Sequence, residues 1–319
     1  MGMIAAFAIQ GIQMLLVLAL APGLVGLVRK VKARAMRRRG ASVLQPYRDL
    51  RRLMRQEVVL ADTASWLFTA TPFLVFAATW VAASLVPTFA TGLQFSWTAD
   101  LIAIVALLGS GRFFLALAGM DVGTSFGGLG ASREVMFASM AEPAMLLTVF
   151  ALSLVAGSTQ LSTVVEVLHG PPGVGLRVSL GMALVALIIV AIVENGRIPA
   201  DNPATHLELT MVHEAMVLEY SGRHLAMIEL AGAMKLLLYV SLIACLFVPW
   251  GIARAGDGPG ALVIGVATYL AKIAVGGVAL ALFEASIAKM RVFRVPDYLG
   301  IALMLGLLGT LLLFVSGTL

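Results

Sequence analysis

Charge is scarce in this sequence. Only 12% of its 319 residues are Asp, Glu, Lys or Arg, against roughly 25% in an average soluble protein. Hydrophobic residues make up 60% of the chain, and its mean hydropathy is +0.99. Several apolar windows exceed the roughly 20 residues that a helix needs to cross about 30 Å of hydrocarbon. The composition excludes an ordinary soluble protein and indicates an all-α, polytopic membrane protein.

Cysteine and the common cofactor motifs are nearly missing as well. The single cysteine, Cys245, lies inside an apolar window, which excludes an intrachain disulfide or a cysteine cluster held by this chain alone. The glycine-rich stretch 123–134 lacks the GKS or GKT ending of a phosphate loop, so a flexible connection is the favoured interpretation. We see no inverted internal repeat of the kind that marks many secondary transporters. Any redox metal is therefore expected in a partner.

Eight apolar windows predict eight transmembrane helices in a single membrane domain, residues 1–319. An amphipathic surface helix is expected after the first span, at 43–57, and a polar cytoplasmic segment that contains a helix is expected between the fifth and sixth. The first window has no preceding positive charge and no clear cleavage site, so it is interpreted as a retained helix. The predicted spans lie near 3–28, 66–87, 99–120, 133–157, 174–195, 224–250, 260–288 and 298–316.

Positive charge is concentrated in one loop. Eleven of the 22 Lys and Arg residues lie between Arg29 and Arg55. The positive-inside rule places that loop in the cytoplasm, and eight spans then leave both termini outside a cell (inner) membrane. This placement explains the isoelectric point near 9.7 better than a nucleic-acid partner does. The amphipathic helix in this region is expected to lie on anionic lipid headgroups, to dock a soluble partner, or to do both.

Seven ionisable residues inside predicted spans are candidate site residues, because charge there is costly and by default marks ion routes, paired networks or ligand sites. Arg112 and Glu142 are placed at comparable depth on neighbouring antiparallel spans, so we expect them to pair. Lys235 is six residues from Glu229 and faces another direction, so it needs a partner on another helix. Two interpretations stay open, namely buried pairs that fix helix register and a proton-relay chain. The set is Arg112, Glu142, Glu194, Glu229, Lys235, Lys272 and Glu284.

The densest polarity lies at 194–223, between two predicted spans. Five acids, two arginines and two histidines occur within these thirty residues. Asn202 and Pro203 suit the start of a helix that is expected to cover 203–219. We interpret the stretch as a proton-input or partner-binding surface at the cytoplasmic edge of the membrane.

The stretch contains a histidine pair and an arginine with two acids nearby in the sequence. His206 and His213 share a helix face, but an HExxH motif is absent and no third ligand is suitably spaced, so a zinc site is poorly supported. Arg197 is expected to hold the loop together by pairing with Glu194 and Asp201.

The same stretch resembles a known family. Glu194-x-x-Arg197-x-Pro199-x-Asp201, followed by Glu208-Leu209 and Glu219-Tyr220-Ser221-Gly222, is similar to the signature of the heel subunit of respiratory complex I and of its relatives in membrane-bound NiFe hydrogenases. The fuller run from 193 to 222 most resembles the hydrogenase-4 and formate hydrogenlyase branch. Segments 32–50, 130–143 and 288–296 agree with it, so the resemblance covers nearly the whole chain.

The resemblance implies a non-catalytic, eight-helix subunit of an oxidoreductase complex, with no cofactor of its own. Such a subunit joins a peripheral arm, which holds iron–sulfur clusters and possibly a NiFe centre, to antiporter-like membrane subunits that pump protons. The resemblance also implies a coupling loop that faces the arm, with the charged span residues continuing a proton route into the membrane. The coupling-loop residues are Arg197, Asp201, Glu208, His213, Glu214, Glu219 and Tyr220.

Two rival functions are weighed. The first is the quinone-chamber heel subunit of a complex I-type NADH or ferredoxin:quinone dehydrogenase. Quinone-reducing heels carry an aromatic residue after Arg-x-Pro and extra acids in the next helix, whereas this sequence has Ala200, Ala204 and His206. The second is a stand-alone ion transporter, which ranks last because the polar stretch lies at the membrane edge rather than at mid-depth.

Overall fold

The structure is a computed structural model, and it describes residues 3–92, 95–168, 178–201, 211–254 and 257–317. Within these ranges the regular structure is helical, apart from two isolated β-bridges, Ala90 with Ala253 and Asp100 with Gln160. The all-helical prediction is confirmed.

Eleven α-helices occur in the described ranges. In chain order they are α1 (Met3–Ala35), α2 (Gln45–Arg55), α3 (Trp66–Leu85), α4 (Leu101–Asp121), α5 (Ser125–Ala156), α6 (Leu161–Leu168), α7 (Val178–Glu194), α8 (His213–Val217), α9 (Gly222–Phe247), α10 (Pro259–Ser286) and α11 (Val295–Gly317). Short 3₁₀ turns precede α4 and α11.

Seven helices in the described part of the chain are long and apolar enough to cross a membrane, namely α1, α3, α4, α5, α9, α10 and α11. The chain is thus a multi-pass membrane protein. α7 is apolar but has 17 described residues, and the start of its predicted span, 174–195, lies outside the described residues. The eighth span therefore stays a prediction.

α9 lies at the centre of the bundle. It contacts α1, α2, α3, α7 and α10, and 61% of its most apolar window is buried. α4 packs between α3 and α5, and α5 contacts α7 and α11. The polar side chains that α9 carries are consequently surrounded by several other helices.

The glycine-rich segment 123–134 is helical from Ser125 onward, so the predicted flexible connection is wrong. Thr124 caps α5 by accepting a hydrogen bond from the amide of Gly127 at 3.2 Å. A Cβ on Gly127 would clash with the carbonyl oxygen of Gly119 on α4, and one on Gly130 would lie 2.8 Å from a backbone oxygen just before α8. These glycines allow close contacts between helices. A tightly packed helix and a mobile loop can therefore both be rich in glycine, and the sequence alone did not distinguish them.

The observed helices α1 and α2 change the prediction for the first cytoplasmic loop. α1 continues past the predicted end at residue 28 and includes the first basic residues. α2 is amphipathic and lies against α1 and α9, with Pro46 buried and Tyr47, Leu50 and Leu53 half-buried. The Tyr47 hydroxyl donates a hydrogen bond to the carbonyl oxygen of Ala19.

Only part of the predicted helix 203–219 can be compared. Residues 202–210, which include His206 and Glu208, lie outside the described residues. After them the helix α8 is one short segment, and α9 begins at Gly222, whose φ of +53° suits glycine.

Candidate functional site

Arg112 lies at the centre of a buried charge network. Its side chain, on α4, is 8% exposed and forms an ion pair with Glu194 at the end of α7. Two acids of α5 lie slightly farther away, with Glu134 Oε1 at 3.8 Å from Nε and Glu142 Oε1 at 3.9 Å from Nη2. The predicted pairing of Arg112 with Glu142 is present, as one of three such contacts.

Glu194 lies between two cations. Besides Arg112, it is approached by Lys235 of α9, whose Nζ lies 2.9 Å from Glu194 Oε2. The Glu194 side chain is only 2% exposed, and a carboxylate so buried requires such partners. The expectation that Lys235 pairs with a residue of another helix is confirmed. We call Arg112, Glu134, Glu142, Glu194 and Lys235 the central network.

A second ion-pair group lies beside the first. The buried carboxylate of Glu284, near the end of α10, is 2.7 Å from Lys32 Nζ on α1 and 3.4 Å from Arg197 Nη1. It therefore connects α1, α10 and the segment that follows α7. We call these three residues the peripheral network.

The partner predicted for Arg197 is wrong. Its ion pair is with Glu284, whereas Glu194 faces the central network and Asp201 pairs with Lys289 at 2.8 Å. The chain turns sharply here, with the amide of Asp201 bonded to the carbonyl oxygen of Arg197 at 3.1 Å, and this turn leaves the guanidinium directed at α10. Burial lowers the pKa of Arg197, and the Glu284 carboxylate partly offsets that effect.

A cavity of about 420 Å³ adjoins the two networks, between α1, α2, α5, α7, α8 and α9. Part of its wall is apolar, from residues such as Pro22, Val25, Phe137 and Ile228. The charged and titratable residues in its wall include Arg29, Glu134, Glu194, Arg197, Asp201, His213, Glu214, Glu229 and Lys235. The cavity thus adjoins two acids of the central network, Glu134 and Glu194.

The coupling-loop residues are divided between the cavity and the surface. His213 and Glu214 line the cavity, and the segment before them is held to α5 by Arg133, whose Nη1 donates to the carbonyl oxygen of Met211 at 2.7 Å. Glu219 is exposed. Of the described loop residues, Arg197, Asp201, His213 and Glu214 thus share the cavity wall, whereas Glu219 and Tyr220 do not line it.

Tyr220 has a packing role in the structure. Its ring stacks on Phe68 with centroids 3.9 Å apart, and its hydroxyl donates to the Phe68 carbonyl oxygen at 3.0 Å. Burial raises the pKa of this phenol. A deprotonated tyrosine is therefore disfavoured here.

Two predicted relay residues stand apart from both networks. Glu229 lines the cavity, and within the described ranges no ion pair includes it. Lys272 lies twelve residues before Glu284 on α10, which is about 18 Å along the helix axis. Their roles as relay residues stay predictions.

Sequence reasoning missed Glu134, Lys32 and Lys289 as members of these ion pairs. The positive-inside rule accounts for both lysines as loop charges, which obscured their contacts with acids. A search for a cation near each acid in or beside a span would have identified them, because a buried carboxylate needs one. Among the described residues no group of three or more His, Cys, Asp and Glu could hold a metal ion.

Comparison with known proteins identifies the family. A family model described as NADH dehydrogenase matches residues 8–315. Formate hydrogenlyase subunit 4 of Escherichia coli (strain K12) is 33% identical over 285 residues, which covers 89% of this chain and 91% of that protein. Hydrogenase-4 component C of the same organism is 33% identical over 253 residues, covering 79% and 78%. A subunit of the NADH-quinone oxidoreductase of Anaplasma phagocytophilum (strain HZ) is 28% identical over 243 residues, covering 70% of each.

A solved structure supports the fold. One chain of the membrane-bound sulfane sulfur reductase, described as an archaeal respiratory membrane complex, matches with a TM-score of 0.83 over 97% of this chain and 99% of that one. Their sequences are 19% identical, so this likeness shows the fold alone. From the family match and the three relatives together, the chain belongs to the NADH dehydrogenase family of membrane subunits, which formate hydrogenlyase and hydrogenase-4 share with complex I.

Proposed function

We propose that this chain is the membrane anchor and proton-conducting coupling subunit of a group 4 hydrogenase-like respiratory complex, of the hydrogenase-4 or formate hydrogenlyase type. The observation that carries the proposal is the central network, in which three acids surround one arginine and two of those acids, Glu134 and Glu194, line the cavity. The two E. coli relatives, each 33% identical over most of the chain, favour this branch.

The partners follow from the same resemblance. The chain joins a peripheral arm, with iron–sulfur clusters and a NiFe centre in hydrogenase-like subunits, to antiporter-like membrane subunits. It holds no cofactor itself. The proposed arrangement has eight spans, with both termini outside the cell membrane and the 194–223 loop facing the arm.

The central network is suited to hold one proton. It contains two cations and three carboxylates, so its formal charge is −1 and one added proton neutralises it. Glu142 is the best candidate to exchange that proton with a neighbouring membrane subunit, because its side chain is 44% exposed on a membrane-crossing helix while that of Glu194 is 2% exposed. A shift of the Arg112 guanidinium between Glu194 and Glu142 would change which acid keeps its charge.

The loop after α7 links this proton site to the arm. Glu194 of the central network and Arg197 of the peripheral network are three residues apart on the same turn. A charge change in the arm that moves this turn therefore alters both networks together. Each unit of resulting pKa change corresponds to about 1.4 kcal/mol of coupling.

A second candidate function is the quinone-chamber subunit of a complex I-type dehydrogenase. The observation in its favour is the cavity of about 420 Å³, which has an apolar wall and falls within the usual range for small-molecule sites. The two candidates differ in the arm and in the ligand of this cavity.

The experiment that tests the proposal is purification of the intact complex in mild detergent, followed by mass spectrometry and elemental analysis. We expect nickel, a hydrogenase-type large subunit and no stoichiometric quinone. A nickel-free arm with bound quinone would establish the second candidate instead. Recovery of the chain without other subunits would contradict both.

A further inference from the structure

α10 is the least covered of the long helices. Of its most apolar window 22% is buried, against 33% to 61% in the other six membrane-crossing helices. Its covered side packs on α1 and α9, and its other side exposes Val263, Val275 and Leu282. An apolar face of this kind suits lipid equally well, so it does not by itself indicate a partner.

Lys272 makes this face different from a lipid-facing one. It is half-buried at the edge of the face, next to the exposed Ala271. It is the fourteenth of the 28 residues of α10, so it lies about 20 Å along the axis from either end of the helix. Lysines near helix ends can extend to the headgroups, but Lys272 is near mid-depth of a hydrocarbon layer of about 30 Å.

The described residues supply no counter-charge for Lys272. None of their carboxylates lies within 4 Å of its ammonium group, and it makes no hydrogen bond to them. The polar group one turn away, the Tyr269 hydroxyl, is already bonded to Ser241 at 2.8 Å. Lys235, which lies near the middle of α9, has by contrast a carboxylate at 2.9 Å.

A charged lysine at the centre of a bilayer costs roughly 2.5–3.5 kcal/mol even on the most lenient scales. Lipid tails offer no acceptor that would reduce this cost. A second copy of the chain that packed symmetrically through this face would place one Lys272 near another, which adds repulsion. An occupant that brings an acid offsets this cost, which neither lipid nor a second copy does.

We propose that the face of α10 around Lys272 docks a transmembrane helix of another subunit, and that this helix places an Asp or Glu carboxylate in an ion pair with Lys272. Ala279, two turns after Lys272 on the same face, and the neighbouring Ala271 are exposed, and such small residues allow a second helix to approach closely. The inference rests on the proposed function only in requiring other membrane subunits beside this chain.

Photocrosslinking in the intact complex tests the contact. A benzoylphenylalanine at Val275, which is 69% exposed and less than one turn from Lys272, is activated in native membranes, and the crosslinked peptides are sequenced. We expect a membrane segment of another subunit with Asp or Glu within about one helical turn of the crosslinked residue. Crosslinks only to lipid, to this chain or to a segment without an acid would overturn the proposal.

Charge variants test the ion pair. Lys272→Met should lower co-purification of the crosslinked subunit at least fivefold, whereas Lys272→Arg should retain co-purification. Lys272→Glu should abolish co-purification, and changing the partner's acid to Lys in the same complex should restore it. Ile264→Met, on the same face without a change of charge, should retain it. Equal retention in Lys272→Met would refute the ion pair. If other membrane subunits still co-purify in that case, the proposed function survives while this inference fails.

Discussion

The pair of Glu194 with Lys235 allows a quantitative test of the central network. Glu194→Gln removes the one carboxylate that lies within 4 Å of Lys235 among the described residues and leaves two cations near a neutral amide. Removing one partner of a buried pair costs about 3–5 kcal/mol, since the other charge stays buried. We expect a loss of that size in the free energy of unfolding.

A double variant distinguishes loss of the Glu194–Lys235 ion pair from non-specific destabilisation. Glu194→Gln combined with Lys235→Met also removes the stranded ammonium group, so at least half of the lost stability should return. The measurement is unfolding of the purified complex in detergent, with Glu166→Gln as the control. Glu166 is exposed on α6 and takes part in no ion pair of the described structure, so its change should stay within about 0.5 kcal/mol. A double variant no more stable than Glu194→Gln would refute the coupling of these two residues.

Three further predictions concern the surroundings of the network. Arg197→Ala and Glu284→Gln both break the Arg197–Glu284 ion pair, so both should lower redox turnover in vesicle assays. The loss should be at least as large in Glu284→Gln, because Glu284 also pairs with Lys32, and a smaller loss there would argue against a shared role. Gly130→Ala should destabilise the chain by about 1–3 kcal/mol in detergent unfolding because its Cβ meets α8, while Gly128→Ala, with open space around it, should be nearly neutral. Tyr220→Phe loses one hydrogen bond but keeps the ring stack, so about 0.5–1.5 kcal/mol should be lost, and a larger loss would indicate a further role for the hydroxyl.

The apolar helices were predictable from the sequence because hydropathy depends on composition alone. The membrane-crossing helices lie close to the predicted windows, and the surface helix α2 falls within 43–57. Helix ends were less predictable. α1 continues into its basic segment, since lysine and arginine favour helices as readily as a loop at the membrane surface.

The sequence predicted which residues belong to the candidate site better than it predicted which of them form ion pairs. The Arg112–Glu142 ion pair was predicted from the similar depth of the two residues on neighbouring helices. Helical spacing predicted that Lys235 has its partner on another helix. Arg197 with Glu284 did not, because they are 87 residues apart and depend on how α10 packs against the turn after α7. Glu194 and Asp201, which are nearer to Arg197 in the sequence, were therefore wrongly predicted as its partners.

The proton route through the central network is best tested by measuring proton translocation against redox turnover in inverted membrane vesicles that carry Glu142→Gln. We expect that the complex assembles with its full set of subunits and that protons moved per turnover fall sharply or turnover stalls, while Glu166→Gln behaves as the unmodified complex. Unchanged proton translocation at an unchanged redox rate in Glu142→Gln would contradict this route.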